Sequence, residues 1–289
     1  MQRIAVLGAN GVYARHLLPR LTRAGFDVVA LVRRPEAAGV ARGCGVAVKV
    51  ADIFDEASMA AAFEGCDVAV NLATSLPGPS GRGDFAENDR LRVEGGAKFL
   101  RACRTAGVGR VLQQSISFVN ASGDAQWSDE GFAFAPTTDT GASRAIAAAL
   151  RMADGVRASG LDCAILRGGL FYGPGTGFDD GWFAHAAQGK LRVPGDGTSY
   201  VSLVHIADMA SATVAALSRW PHGQSLIVCD DHPVQWRELF GFIAACAGQA
   251  EPALGAPEGF PSFRLKNTRA KQALDWQPFY ASYREGLAR

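Results

Sequence analysis

The sequence predicts an α/β protein built on a doubly wound parallel sheet, with a smaller domain at the C-terminal end. Short apolar runs alternate with amphipathic helical patterns up to residue 167, which is typical of strand–helix–strand units. Glycines spaced three apart follow the first apolar run at once, as at a sharp turn from a strand into a helix. The remainder is mixed and rich in turns. We therefore expect one domain over residues 1–167 and a closely associated region over residues 168–289.

The first fourteen residues carry the clearest local signal. Residues 4–7 form an apolar run that predicts a buried strand, and Gly8, Gly11 and Ala14 follow it. Gly8 allows a tight turn, Gly11 lets backbone approach a ligand closely, and Ala14 lets the helix pack on the strand. Free N–H groups at the start of that helix suit a pyrophosphate. The loop residues expected to bind a dinucleotide are Gly8, Asn10, Gly11 and Val12.

The second predicted strand, residues 27–32, ends in Arg33 and Arg34. Position 33 lies 22 residues beyond Gly11, where an NAD-binding unit usually places Asp or Glu on the ribose hydroxyls. An arginine instead offers donors to a 2′-phosphate, which a carboxylate would repel. The pattern favours NADP over NAD; the alternative is a pair of solvated arginines at a strand end.

The third and fourth predicted strands, residues 46–50 and 68–72, end in residues suited to line the same ligand. Those after the third strand are expected to border an adenine ring, and small residues after the fourth would let a cofactor lie against the strand end. The residues expected at this edge are Asp52, Ile53, Leu72, Ala73 and Thr74.

A long irregular segment, residues 118–139, carries Trp127, Phe132 and Phe134. A loop of that length is often a binding loop or a lid, and its aromatic side chains could line a substrate pocket. Local packing of the loop is the alternative. The adjacent acids Asp129 and Glu130 are expected to be a solvated pair.

The composition and charge balance of the sequence argue against several classes of partner. With 29 basic and 28 acidic residues there is no electrostatic footprint for nucleic acid or an anionic membrane. No apolar run approaches the ~20 residues that span a bilayer, and the first strand begins too early for a secretory signal. Six scattered cysteines and five histidines lack metal-ligand spacing, so we expect reduced thiols, no metal site and a cytoplasmic location.

Loose motifs continue to the end of the chain. They are Gly8-x-x-Gly11-x-x-Ala14, Asp52, residues 71–73, residues 106–111 before Ser115, residues 166–174, residues 204–208, residues 274–278 and residues 283–287. With these motifs in this order, the chain resembles the extended and atypical short-chain dehydrogenase/reductases, the NAD(P)-dependent epimerase/dehydratase-like group, over nearly its whole length. The resemblance implies a Rossmann-type fold and a dinucleotide cofactor whose contacts include Gly168 and Leu170.

The sequence differs from that family at the residues expected to catalyse the reaction. There, a Ser or Thr after strand five works with a Tyr-x-x-x-Lys motif, in which the Tyr is acid or base. The Lys holds the nicotinamide ribose and lowers the Tyr pKa from about 10 toward neutrality. Ser115 matches, but 25 residues on stand Thr140 and Arg144 in place of Tyr and Lys. Arg144 can supply the charge but cannot give up a proton. The proton would then come from Ser115, a bound water, Tyr172 or Tyr200.

The leading prediction is an NADP-dependent oxidoreductase or epimerase-like enzyme that acts on a small carbonyl or alcohol compound with an altered proton donor. Two alternatives stay open: a non-redox enzyme (isomerase, lyase or cyclase) on the same fold, and a non-catalytic NADP-binding regulator. Residues 168–289 would bind the substrate. We expect a monomer, or a homodimer that pairs through helices 88–106 and 141–158.

Overall fold

A computed structural model describes residues 1–76, 83–136 and 138–288. Its strands, in chain order, are β1 (Arg3–Leu7), β2 (Asp27–Val32), β3 (Ala47–Val50), β4 (Val68–Asn71), β5 (Arg110–Ile116), β6 (Trp127–Ser128), β7 (Asp162–Gly168), β8 (Leu170–Tyr172), β9 (Val193–Pro194), β10 (Tyr200–Val201), β11 (Leu203–His205), β12 (Ser225–Val228), β13 (Val234–Gln235), β14 (Leu254–Ala256) and β15 (Arg264–Leu265).

The helices follow the strands in alternation through the first part of the chain. They are α1 (Val12–Arg23), α2 (Gly39–Gly43), α3 (Glu56–Phe63), α4 (Phe85–Arg90), α5 (Gly96–Thr105), α6 (Gly141–Arg157), α7 (Phe178–Ala187), α8 (Ile206–Ser218), α9 (Trp236–Cys246), α10 (Thr268–Leu274) and α11 (Tyr283–Gly286). A π-helical turn, Leu91–Gly95, joins α4 to α5, and 3-10 turns cover Pro35–Ala38 and Ser117–Asn120.

Seven strands form a parallel central sheet in the order β12-β7-β5-β4-β1-β2-β3. Apart from Arg3 and Asn71, the central strands β1 and β4 consist of apolar residues buried on both faces, as is usual for helix-covered parallel strands. Strand order reverses between β1 and β4, so the ligand crevice of such a sheet lies at their carboxyl ends. The predicted Rossmann-type α/β fold is confirmed.

The described chain divides into two compact units. The first comprises Met1–Ser115, Arg144–Leu166 and Ala210–Ser225; the second comprises Ile116–Ser143, Arg167–Met209 and Leu226–Arg289. The sequence predicts a single break after residue 167, and one break does fall after Leu166. The chain also changes unit at other points, because residues 116–143 pack with the later segments and residues 210–225 pack with the early ones.

Residues 117–134 are held within the second unit by several hydrogen bonds. Asn120 accepts a bond from Arg167 Nη1 at 2.7 Å, and the Ser128 hydroxyl donates to the Asn120 carbonyl at 2.7 Å. The Glu130 side chain, only 3% exposed, accepts the backbone N–H of Ile227 at 2.8 Å. The expectation that Glu130 is a solvated acid is therefore wrong, because its carboxylate is buried and accepts a backbone N–H of the edge strand β12.

None of the helices in the described ranges is both long enough and apolar enough to cross a membrane.

Candidate active site

The turn from β1 into α1 has the geometry of a dinucleotide loop. Gly8 has φ +82°, and a Cβ on it would lie 2.9 Å from the Ala73 nitrogen. The Gly11 N–H donates to the Gly8 carbonyl at 3.0 Å, and α1 starts at Val12 with no side-chain cap at Gly11. Asn10 is exposed in the same turn. These consecutive residues fit a pyrophosphate, since the first-turn N–H groups are left for a ligand.

Arg33 and Arg34 are both exposed directly after β2. Arg34 Nε lies 3.6 Å from Glu36 Oε1, and both side chains are about 70% exposed. Within the described residues, Arg33 forms no ion pair. The exit of β2 therefore presents two cations to solvent, one of them already near a carboxylate.

After β3, Asp52 is half-buried and its Oδ1 accepts the Phe54 N–H at 2.9 Å. The Ile53 side chain is buried and packs on Gly95, where an added Cβ would meet it at 3.0 Å. Asp52 thus offers a polar group at this edge of the sheet, whereas the Ile53 side chain belongs to the core.

The β4 exit (residues 72–74) lies beside the glycine loop. Leu72 is buried and its N–H donates to the Leu7 carbonyl at 3.0 Å, while Ala73 is half-buried and Thr74 is exposed. The three residues therefore pass from the core to the surface next to Gly8. Contact of these three residues with a cofactor stays a prediction.

Ser115 lies at the carboxyl end of β5 and is 2% exposed. Thr140 precedes α6, and its Oγ1 accepts the Ser143 N–H at 3.1 Å and lies 2.8 Å from Ser143 Oγ. Thr140 is thus the N-cap of α6. Arg144 is exposed in the first turn of α6. The catalytic roles assigned to these three residues stay predictions.

Tyr172 is fully buried, and its hydroxyl lies 3.5 Å from the Ser282 carbonyl. Burial raises the pKa of this phenol far above its ordinary value, with a smaller contribution from nearby carboxylates such as Asp230. The His205 ring packs against the Tyr280 ring with the centroids 4.0 Å apart and the planes tilted by 44°, and His205 Nδ1 accepts the Ala207 N–H at 3.2 Å. Both rings occupy packing positions, and Tyr172 has no part in the proton transfer proposed below.

Gly168 and Leu170 lie at the end of β7 and in β8. A Cβ on Gly168 would collide with the Phe171 ring and lie 3.2 Å from the Met209 sulfur. Leu170 donates its N–H to the Ser202 carbonyl at 2.9 Å. A side chain at position 168 would therefore require the Phe171 ring to move, and any contact of these two residues with a cofactor stays a prediction.

One residue that sequence reasoning missed is Arg92, in the π-helical turn. Its side chain is 9% exposed and its Nη1 lies 3.3 Å from Asp89 Oδ1. Burial lowers the pKa of the guanidinium, and Asp89 opposes that effect. One helical turn earlier, Asn88 Oδ1 accepts the Ser75 N–H at 3.0 Å, which puts this helix face beside the β4 exit. The only signal in the sequence was an arginine four residues after Asn88, which puts both side chains on one face of a helix.

A glycine loop ahead of a helix, cations after β2 and small residues after β4 define a nicotinamide-dinucleotide enzyme of the oxidoreductase type. The NAD dependent epimerase/dehydratase family matches residues 4–229, and the chain belongs to that family.

Similar proteins agree with this assignment. The chain is 33% identical to a 3-diazoavenalumate denitrifying reductase from a Streptomyces species, over 99% of both chains. It is 26% identical to a dTDP-4-dehydro-6-deoxy-D-allose reductase from a Streptomyces species, over 95% of this chain and 91% of the relative. A dTDP-glucose 4,6-dehydratase structure from Streptomyces venezuelae with NAD bound superposes with a TM-score of 0.82 at 23% identity, over 100% and 95% of the chains. This last likeness shows the fold alone.

Proposed function

We propose that the protein is an NADP-dependent reductase that delivers a hydride to a small carbonyl compound without a phenolic proton donor. The observation that carries the proposal is the pair of exposed cations, Arg33 and Arg34, at the position where an NAD-binding unit places a carboxylate. A 2′-phosphate there would gain charge-assisted hydrogen bonds. The family membership and the reductases among the relatives support hydride chemistry.

Ser115 and Arg144 have separate roles in this proposal. Ser115 donates a hydrogen bond to the acceptor oxygen, which stabilises the charge that develops as the hydride arrives. Arg144 binds the nicotinamide ribose and supplies the positive charge that the family draws from Lys. When bound, the nicotinamide supplies the hydride. The proton that completes the alcohol comes from solvent, through the Ser115 hydroxyl or a water beside it, because Thr140 and Arg144 cannot release one near pH 7.

The first test is a titration of the purified protein with NADPH and with NADH, followed by nicotinamide fluorescence and thermal stability. Tighter binding of NADPH supports the proposal and justifies a screen of ketones by NADPH consumption. The double variant Thr140→Tyr/Arg144→Lys should then reduce ketones faster than the wild type. If neither nucleotide binds, the proposal fails, and the non-redox enzyme and the regulator become the hypotheses to pursue.

A second candidate is the reductive removal of nitrogen from a diazo compound. Two observations favour it: Thr140 stands at the position of the family's phenol and caps α6, and the relative that is 33% identical is named as a denitrifying reductase of a diazo compound. Hydride addition to an arenediazonium gives the arene and N₂, so the acceptor consumes the hydride and needs no proton. The absence of an acidic side chain would then not slow the reaction.

The two candidates differ in a measurable way. With NADPH that carries deuterium at C4, a denitrifying reductase places deuterium on the carbon that lost nitrogen and releases one N₂ per NADPH. Reactions without enzyme correct for direct reduction by NADPH. Ser115→Ala should slow ketone reduction by about 10²-fold, as loss of an oxyanion donor does, and leave diazonium reduction nearly unchanged. If Ser115→Ala lowered ketone reduction and diazonium reduction equally, the proposed difference between the two reactions would be wrong.

We also propose a cytoplasmic location and a monomer or a homodimer paired through α4–α5 and α6. Six cysteines without disulfide bonds support the location. The alanine face of α6, with Ala148 and Ala149, is buried within the chain itself, so the pairing rests on the family resemblance alone. Cell fractionation and light scattering on the purified protein test these two points.

A further inference from the structure

Two buried amides face each other at the carboxyl ends of neighbouring strands. Asn71 ends β4, Gln113 lies in β5, and the two are register partners in the parallel pairing of these strands. A buried strand position in a parallel sheet ordinarily holds an apolar side chain, because a buried amide needs a partner for every polar group. The presence of two buried amides at these strand positions therefore needs an explanation other than packing of the core.

Their hydrogen bonds form one chain with a fixed direction. The Ala73 N–H donates to Asn71 Oδ1 at 3.1 Å, and Asn71 Nδ2 donates to Gln113 Oε1 at 3.0 Å. Gln113 Nε2 then donates to the Gln114 carbonyl at 2.7 Å. Because a backbone N–H can only donate, the first bond sets the orientation of Asn71, and Asn71 sets that of Gln113. Neither side-chain amide can exchange its oxygen and nitrogen positions without breaking these hydrogen bonds.

The two ends of this chain of bonds lie at functional positions. At one end, Ala73 is the residue against which Gly8 packs, where an added Cβ would be 2.9 Å from its nitrogen. At the other end, Gln114 immediately precedes Ser115. The network therefore joins the glycine loop after β1, the β4 exit and the end of β5, on both sides of the point where the strand order reverses.

We propose that Asn71 and Gln113 are positioning residues that hold the β4 exit, and with it the site for the nicotinamide half of the cofactor, in register with Ser115. The inference rests on the proposed function, since it assumes that a nicotinamide nucleotide binds at this edge. Apolar side chains at the two positions would pack the sheet as well. They would leave the Ala73 N–H without its acceptor and the β4 exit free to shift.

The test is the variant Gln113→Met, which keeps the length of the side chain and removes both of its hydrogen bonds. Its matched control is Leu112→Met, a buried neighbour on β5 whose side chain points to the other face of the sheet. Two probes are titrated: NADPH, and 2′,5′-ADP, which carries the 2′-phosphate but lacks the pyrophosphate and the nicotinamide. The free energy of unfolding without ligand is measured for each variant.

We expect Gln113→Met to raise the Kd for NADPH about tenfold and to leave the Kd for 2′,5′-ADP within twofold of the wild type. Gln113→Asn, which is too short to reach Asn71, should behave similarly, and Leu112→Met should leave both constants unchanged. A Gln113→Met variant that loses stability while the ratio of the two constants is preserved would overturn the inference. So would failure of both position-113 variants to fold, because the pair would then serve the fold. Wild-type protein that binds neither probe would instead refute the proposed function.

Discussion

The preference for NADP depends on the two cations after β2, and Arg33→Asp tests it most directly. Arg34 lies 3.6 Å from Glu36, so part of its charge is already compensated. Arg33 forms no ion pair within the described part of the chain and follows β2 directly. It is therefore the better donor for a 2′-phosphate. The substitution removes this donor and places a carboxylate where the phosphate would lie.

The expected size of the effect follows from the exposure of the site. A hydrogen bond to a charged group contributes about 1.5–3 kcal/mol, and solvent screening at an exposed position holds it near the lower value. That is about tenfold in Kd. Repulsion between the new carboxylate and the phosphate adds about the same again. The Kd for NADPH should rise about a hundredfold, while that for NADH changes less than threefold.

The assay is a fluorescence titration of both nucleotides at low and at high ionic strength. Salt should reduce the NADPH effect and leave NADH binding nearly constant, because the lost contact is electrostatic and exposed. Arg23→Asp is the matched control: it makes the same change of charge at the far end of α1, away from the glycine loop. An unchanged ratio of NADPH to NADH affinity in Arg33→Asp, or an equal loss in Arg23→Asp, would refute the reasoning.

Three further predictions concern single residues. Gly8→Ala should lower the free energy of unfolding by more than about 1 kcal/mol and abolish NADPH binding, because its φ of +82° and the 2.9 Å approach to Ala73 exclude a Cβ; denaturant unfolding and titration check this. Thr140→Ala should cost about 1 kcal/mol in the same unfolding measurement and Thr140→Ser almost nothing, since Ser also caps a helix. Burial raises the pKa of Asp230 far above its ordinary value, and one of its oxygens has no hydrogen-bond partner among the described residues. The folded protein therefore keeps a proton that the unfolded chain has lost, so stability should fall as pH rises above about 4, and Asp230→Asn should flatten that slope in unfolding curves from pH 5 to 9.

The elements that the sequence predicts best are those whose burial leaves a local pattern. Residues 27–32 form β2 as expected, and the run at residues 4–7 lies within β1, because helix-covered parallel strands are continuous apolar runs. The helix expected over residues 88–106 is interrupted by the π-helical turn Leu91–Gly95. That turn changes the hydrogen-bond register without changing the apolar pattern. Its close packing of Gly95 on Ile53 is set by residues distant in the chain.

In the candidate site, too, features set by neighbouring residues could be predicted and features set by distant residues could not. The glycine loop and the cations after β2 could be predicted because each lies within a few residues of a strand end. The bond between Asn71 and Gln113 could not, because the partners are 42 residues apart and the motif at residues 71–73 does not indicate which side chain Asn71 binds. Glu130 was misjudged for a similar reason: its partner, the Ile227 N–H, belongs to a strand 97 residues later.

The identity of the proton donor decides between the two proposed reactions. The hydroxyl of Thr140 accepts the Ser143 N–H at the start of α6, so the residue that stands at the family's phenol position serves the helix. Burial raises the pKa of Tyr172, the buried alternative, above its ordinary value, which makes this phenol a weaker acid. In the proposed carbonyl reduction the acceptor draws its proton from solvent near Ser115, with Tyr200 as the remaining alternative donor, whereas a diazonium acceptor requires none. A carbonyl reductase of this kind would show a solvent isotope effect and depend on Ser115, and a denitrifying reductase would show neither property.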